Sequence, residues 1–518
     1  MDSLSDTTWD VIINGTGLAQ SLLALALSRS GKKVLHIDSN RYYGGSDAAF
    51  SLDEAREWAE EVNKDSTKSS FKDASIFVQD PTASESSQGT TTAPQIASSR
   101  SYTLSLSPYF LHARSQLMSA LVSSKVFRQL EFMAVGSWWI YAPEQGSLEN
   151  SELGAQKILY RVPGSREDVF AATHISMKSK RTLMRLLRHI TKPNEETDED
   201  EDMSMPLNEY LTSKFSVPEE LHNPLLSLSL SQLSDQDTSA SYAIPRIQRH
   251  LASIGHLGPG FGAVIPKYGG GAEILQAACR ASAVGGGVYA LDTRIHDCLW
   301  RTTPEHSEYP FWVMLGQTGT VEAKFLFGPA SDDLSEQASG SVVEVSRSIN
   351  IVSATFPSLF PVTVEGAPVP ATAVLMFPGD TLGSPRSPPV YVQVHSSDTG
   401  ECPPHQSVIY CSVALAGPEG QSLLRSAVDI LVRAEGDSAS VLWSLRYTHR
   451  GYLSNGEARH LTREDGIPNL YSFPLSCLDF AFEDDALELA KEAWKKVVGD
   501  EVDDDDFMKF DDRDGASD

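Results

Sequence analysis

The feature that most constrains this chain is the run from Trp9 to Gly45. A short apolar strand (Val11, Ile12, Ile13) leads into Gly15-Thr16-Gly17-Leu18-Ala19-Gln20, and an apolar helix follows to about Ser30. Gly31 then breaks the helix, and a second strand, Lys33 to Ile37, ends in Asp38. This is the βαβ unit of a dinucleotide-binding domain, with an acid about twenty residues past the glycines, where it can reach a ribose or cap a turn. The third glycine of the G-x-G-x-x-G pattern is replaced by Gln20. That glycine normally allows close helix–strand packing beside a pyrophosphate. The fold signal is therefore intact and the cofactor signal is damaged.

With 518 residues the chain has room for two or three domains, each with its own core. Formal net charge is -27, which opposes binding to nucleic acid. The acid is concentrated in two runs, Asn194 to Asp202 and Glu483 to the C-terminus, both expected to be solvated and disordered. Five scattered cysteines form no C-x-x-C pair, which predicts a reducing, cytosolic setting and no metal site. No Ser/His/Asp motif, H-E-x-x-H or G-K-[ST] loop is present, so nothing in the pattern requires catalysis.

The expected fold is α/β. A large FAD/NAD(P)-binding-like domain, discontinuous in sequence, carries an inserted, mainly helical domain. Residues 1–62 supply the first part of the large domain. Residues 63–104 read as a disordered Ser/Thr-rich insertion, because such composition buries too little apolar surface to offset its ordering entropy. Residues 105–240 switch to helical periodicity, with Leu117, Leu121, Val122, Val126 and Leu130 on one face and further helices at 178–190 and 205–215. Residues 241–482 return to β-rich runs that complete the large domain, and 483–518 form the acidic tail.

Two stretches stand out as recognition surfaces. Arg41-Tyr42-Tyr43-Gly44-Gly45 directly follows Asp38 at the carboxyl end of a strand. Tyr268-Gly269-Gly270-Gly271 opens a helix on which Glu273 and Arg280 lie two turns apart on the same face. Taken singly, the first also reads as a tight turn with one packed tyrosine, and the second as a helix start with a surface ion pair.

Together with Asp10 to Leu18 and Gly31 to Asp38, these two blocks make the chain resemble the superfamily of Rab GDP-dissociation inhibitors and Rab escort proteins, most closely its fungal escort members. The resemblance implies a flavoprotein-like scaffold without flavin chemistry and with no cofactor. It implies a Rab-binding platform at Tyr42, Tyr43, Glu273 and Arg280, with Gly15, Gly17 and Asp38 as a remnant of the nucleotide loop. It also implies a prenyl groove between helices of the inserted domain, for which Leu117, Leu121, Val126 and Leu130 are candidates. The implied partners are Rab GTPases in the GDP-bound form, the Rab geranylgeranyltransferase heterodimer, the geranylgeranyl lipid of the cargo and, transiently, membranes. The chain departs from the family pattern by one extra residue between Pro266 and Glu273. A recycling Rab GDP-dissociation inhibitor is the alternative within the superfamily, and an FAD-dependent oxidoreductase is the alternative from another class.

Overall fold

The computed structural model describes residues 4–64, 70–79, 95–143, 159–164, 168–169, 175–190, 201–301, 308–316, 319–329, 342–382, 387–454, 458–464, 466–499 and 501–510. The helices used below are α1 (Leu18–Arg29), α2 (Leu52–Lys64), α3 (Gln116–Ser123), α4 (Met177–Ile190), α5 (Leu207–Phe215), α6 (His222–Ser229), α7 (Ala240–Ser253), α8 (Gly271–Val284), α9 (Gly417–Ala434) and α10 (Asp485–Val498).

Two sheets organise the chain. In the first, Val288–Ala290, Val34–Ile37, Thr8–Asn14 and Gly319–Pro329 run parallel in that order, and Phe311–Leu315 and Ile295–Trp300 extend the edge antiparallel. Thr8–Asn14 lies between its neighbours with Val11 opposite Val34 on one side and Phe325 on the other. Such a strand needs apolar residues on both faces, and Val11, Ile12 and Ile13 are all fully buried. α1, α3, α8 and α10 share one apolar core with this sheet.

The second sheet is ten-stranded, with Phe71–Val78, Val441–Gly451, Val343–Val352, Ser407–Val413, Val390–Ser396, Thr372–Phe377, Phe132–Tyr141, Ala263–Pro266 and Leu111–His112 in spatial order. Leu159–Arg161 pairs with Phe132–Tyr141 off that path. Both faces are covered. Along Thr372–Phe377, Val374 and Met376 join a core with α4 to α7, while Ala373, Leu375 and Phe377 join a core with α9 on the opposite face.

Several sequence expectations are corrected here. Residues 63–104 are not uniformly disordered: Phe71–Val78 is the edge strand of the large sheet, pairing antiparallel with Val441–Gly451, and Tyr102 is buried. The remainder of that expectation, at 65–69 and 80–94, lies outside the described residues, as do 194–200 of the first acidic run and 511–518 of the second. The acidic C-terminal run is largely ordered, since α10 buries Leu487, Leu489, Ala490, Ala493 and Trp494 against the first domain. Residues 105–240 do not form one separate inserted domain, because Phe132–Tyr141 is a strand of the large sheet and α3 packs in the first-sheet core. The helical cluster is α4 to α7, which carries it past residue 240 to Ser253.

Candidate functional site

The glycine loop and the Tyr-Tyr-Gly-Gly turn form one hydrogen-bonded unit. Asp38 Oδ2 accepts from Thr16 N (2.9 Å) and Thr16 Oγ1 (2.5 Å), and Oδ1 accepts from Asn40 N (2.8 Å). Thr16 Oγ1 in turn accepts from Gly44 N (2.9 Å). Asp38 is buried, which pushes its carboxyl pKa up against the pull of these donors. Its oxygens are thus turned into the protein, locking loop to turn, and Asp38 acts as the turn cap of the two roles open to it. Gly44 is required at this point: its φ is +115°, and a Cβ there would stand 3.0 Å from Ala48 Cα.

The protein's own side chains crowd the loop. The Gln20 side chain folds back over it, with Oε1 only 3.0 Å from where a Cβ on Gly17 would stand. Asp47 Oδ2 accepts from Leu18 N (3.3 Å), so a carboxylate already occupies the N-terminus of α1, where a pyrophosphate would need free donors. A cleft of ≈ 410 Å³ remains beside the loop, but Asp38 and Glu61 among its lining residues would repel a second anion.

Burial pushes the Asp47 pKa up to about 6, against about 3.8 for the free group. The native state therefore holds this proton to higher pH than the unfolded chain does. The stability contributed by Asp47 must fall as pH rises from about 4 to about 6. Asp47→Asn keeps an acceptor for Leu18 N and removes this dependence. Thermal melts across that window should converge for variant and parent at the acid end, with the variant more stable at neutral pH. Parallel melting curves at every pH would refute this.

Tyr43 is anchored inward. Ser21 Oγ donates to the Thr16 carbonyl (3.0 Å), which leaves it to accept from the Tyr43 hydroxyl at 2.9 Å. Burial raises the pKa of that hydroxyl, so it stays a donor. The ring is partly exposed, meets His36 edge-on at 5.6 Å, and meets the exposed Tyr289 edge-on at 6.3 Å. His36 is a buried core imidazole, its pKa lowered to about 4 by burial, and its Nε2 bonds the Gly15 carbonyl at 2.7 Å. Tyr42 packs edge-on against Phe50 in a separate core with α2.

On α8 the expected face is present. Arg280 Nη2 donates to Glu273 Oε1 at 2.9 Å, and Arg280 Nε to Gln129 Oε1 at 3.2 Å. Arg280 is half exposed, so the pair stabilises little and is presented to solvent. The helix is entered through Tyr268, Gly269 and Gly270, all with positive φ. A Cβ on Gly271 would stand 2.3 Å from the Tyr109 hydroxyl, so the helix N-terminus is seated directly on Tyr109.

The four candidate groove residues lie elsewhere. Leu117, Leu121 and Val126 are buried, and Leu130 is packed against them, in the core shared by α1, α8 and α10. They are filled-in core of the first domain and line no groove in the helical cluster. Periodicity showed that they form an apolar face but not which element covers it. The sequence reading also missed Gln129, Tyr289 and Asp47. Tyr289 was findable from the tyrosine ending the α8 block, whereas Gln129 and Asp47 reach their partners only through folding.

The model of the family described as GDP dissociation inhibitor matches residues 5–80 and 74–353 of the chain, which includes the glycine loop, the tyrosine turn and α8. The chain belongs to that family. Among its relatives, a Rab proteins geranylgeranyltransferase component A of Candida albicans is 29% identical over 442 residues, covering 84% of this chain and 62% of its own length. The protein of the same name from Saccharomyces cerevisiae is 28% identical, covering 82% and 64%. A Rab GDP-dissociation inhibitor of S. cerevisiae is 26% identical over 302 residues, 57% of this chain and 58% of its own. The chain thus spans somewhat less than two thirds of these relatives' length. Its fold matches a Rab GDI from Plasmodium falciparum with a TM-score of 0.64 at 17% identity, covering 95% of this chain and 98% of that one. It also matches an oxidoreductase from Methanosarcina mazei with a TM-score of 0.54 at 13% identity, over 94% and 99%. Family membership and the FAD/NAD(P)-binding-like fold therefore agree with the sequence reading.

Proposed function

We propose that this chain is a Rab escort protein: it binds Rab GTPases in their GDP-bound form and presents them to Rab geranylgeranyltransferase, then carries the prenylated product to membranes. The observation that carries this reading is the outward face of α8, where Glu273 and Arg280 are bridged and presented, and where the neighbouring Cys279 meets Tyr43. The family match covers these residues, and the two fungal relatives that share over four fifths of this chain bear the component A name. The shorter match to a named Rab GDP-dissociation inhibitor favours escort over recycling.

In this reading the chain does no covalent chemistry. A GDP-loaded Rab docks on the α8 face, and its C-terminal tail runs towards the helical cluster α4 to α7. Holding the transferase there as well makes prenylation effectively intramolecular, raising the local concentration of the tail cysteines to the millimolar range. Once the lipid is attached, burying it contributes about 0.8 kcal/mol per CH₂, which holds the cargo until a membrane competes for it. Among the described residues no helix is long and apolar enough to cross a membrane.

Arg280→Ala removes the presented cation from a helix face whose core side is untouched. It should lower Rab prenylation by about a hundredfold, in line with loss of a central interface arginine, while leaving the melting temperature unchanged. Tyr43→Ala should do the same with a modest loss of stability, because the Ser21 anchor goes with it. Prenylation at the parent rate in both variants would sink the platform. Binding to unprenylated as well as prenylated Rab identifies an escort; binding to prenylated Rab alone identifies the recycling inhibitor.

A further inference from the structure

The face of the ten-stranded sheet away from the helical cluster carries a cleft whose charge is opposite to that of the chain. α9 presents Arg425, Val428, Asp429, Val432 and Arg433 to it, at the i, i+3, i+4, i+7, i+8 spacing of one helix face. Asn350, Arg446 and the half-exposed Phe77, from three neighbouring strands, complete a cavity of ≈ 480 Å³. Arg446 is partly buried. Burial and the nearby Arg425 charge both disfavour its protonated form, and Asp429 favours it.

Among the described residues, three guanidinium groups therefore share one cleft with a single carboxylate. Among the described residues none of the three has an ion-pair or side-chain hydrogen-bond partner. A chain with 69 acidic and 42 basic residues has ample means to neutralise them. Leaving them unpaired costs mutual repulsion, which an entering anion would reverse. Guanidinium forks donate in pairs to planar or tetrahedral oxyanions. Three of them around one cavity match a group with several equivalent oxygens better than they match a single carboxylate. Phe77, Val428 and Val432 leave an apolar wall for the rest of the molecule.

We propose that this cleft binds a phosphate-bearing ligand through Arg425, Arg433 and Arg446, either a soluble phosphorylated molecule or a lipid headgroup. The site is separate from the α8 face and stands independently of the escort reading. Its specificity is sharpened by net charge, because the other surfaces of a protein at -27 repel anions rather than collect them.

Calorimetry with inorganic pyrophosphate tests the soluble source. Flotation with phosphatidylcholine vesicles carrying a phosphoinositide, against phosphatidylcholine alone, tests the lipid source. Saturable binding in either arm is expected, weakened about tenfold in Arg433→Gln and Arg425→Gln, the size of one lost charge-assisted hydrogen bond. Both substitutions are on the exposed side of α9 and leave the core beneath it intact. Arg446→Gln, on a central strand, should abolish binding, with circular dichroism reporting whether it folds. Pyrophosphate binding identifies a soluble ligand, and binding to the phosphoinositide vesicles alone identifies a headgroup. Absence of saturable binding in both arms, or parental affinity in the two α9 variants, overturns the proposal.

Discussion

Trp494→Ala should destabilise the protein by about 3–5 kcal/mol, the cost of removing a buried tryptophan from a packed core. Trp494 is 2% exposed on α10, its ring meets Phe507 edge-on at 5.6 Å, and its Nε1 donates to Ser30 Oγ at 3.0 Å. Ser30 caps the C-terminal end of α1, the helix that follows the glycine loop. The substitution therefore opens a cavity and removes a bond that holds α10 to the end of α1. Asp505→Ala, in the same acidic run but exposed, should shift stability by no more than about 0.5 kcal/mol. Urea denaturation of the three proteins distinguishes an ordered strap from a charged tail. If Trp494→Ala unfolds at the parental midpoint, α10 is not part of the folded core.

The acidic run shows why composition misled. Its carboxylates dominate the average, but the residues that bury, Leu487, Ala490, Ala493 and Trp494, recur at helical spacing beneath them. Phe71–Val78 was hidden for a related reason. It is an edge strand with only Phe71 and Ala74 buried, and its partner, Val441–Gly451, lies hundreds of residues away. Nothing local marks such a pairing. The opposite held for Thr8–Ile37. There the strand, the glycine turn, the helix and the second strand are adjacent in sequence, and each is specified by its own residues.

The site was legible to the same degree. Glu273 and Arg280 share a helix, so their spacing alone placed them on one face, and the structure pairs them. Asp38 was placed correctly at the end of its strand. Its oxygens, however, are taken by Thr16 and Asn40, which follows from the turn's geometry rather than from the acid's position. Asp47 was not legible at all, because it reaches the N-terminus of α1 from 29 residues away. The four leucine and valine positions of α3 and its neighbour were recognised as apolar and assigned to the wrong partner. An amphipathic period states that a face must be covered but not by what.

Asp484 is the point at which these separately read pieces meet, and replacing it should have the second large effect. Asp484 Oδ1 accepts from Ser115 Oγ (2.8 Å), Gln116 N (3.0 Å) and Leu117 N (3.4 Å), capping α3 from outside the helix. Oδ2 lies 3.7 Å from Arg249 Nη2 on α7, and Asp484 immediately precedes α10. One side chain, 8% exposed, therefore joins the first-sheet core, the helical cluster and the C-terminal helix. Asp484→Ala leaves Ser115 Oγ and Gln116 N without an acceptor, while Leu117 N keeps Ser115 Oγ at 3.2 Å, and it removes one partner of Arg249, at a cost of about 3–5 kcal/mol. Asp484→Asn retains the Oδ1 acceptor and loses only the charge, so it should cost about 1–2 kcal/mol. Arg249 keeps its contact with Glu483 in both variants, 3.1 Å away, which limits the loss on the helical side. Denaturation of the two variants separates capping from ion pairing: an Asn cost near that of Ala would show that the charge on Arg249, and not the cap on α3, holds this junction together.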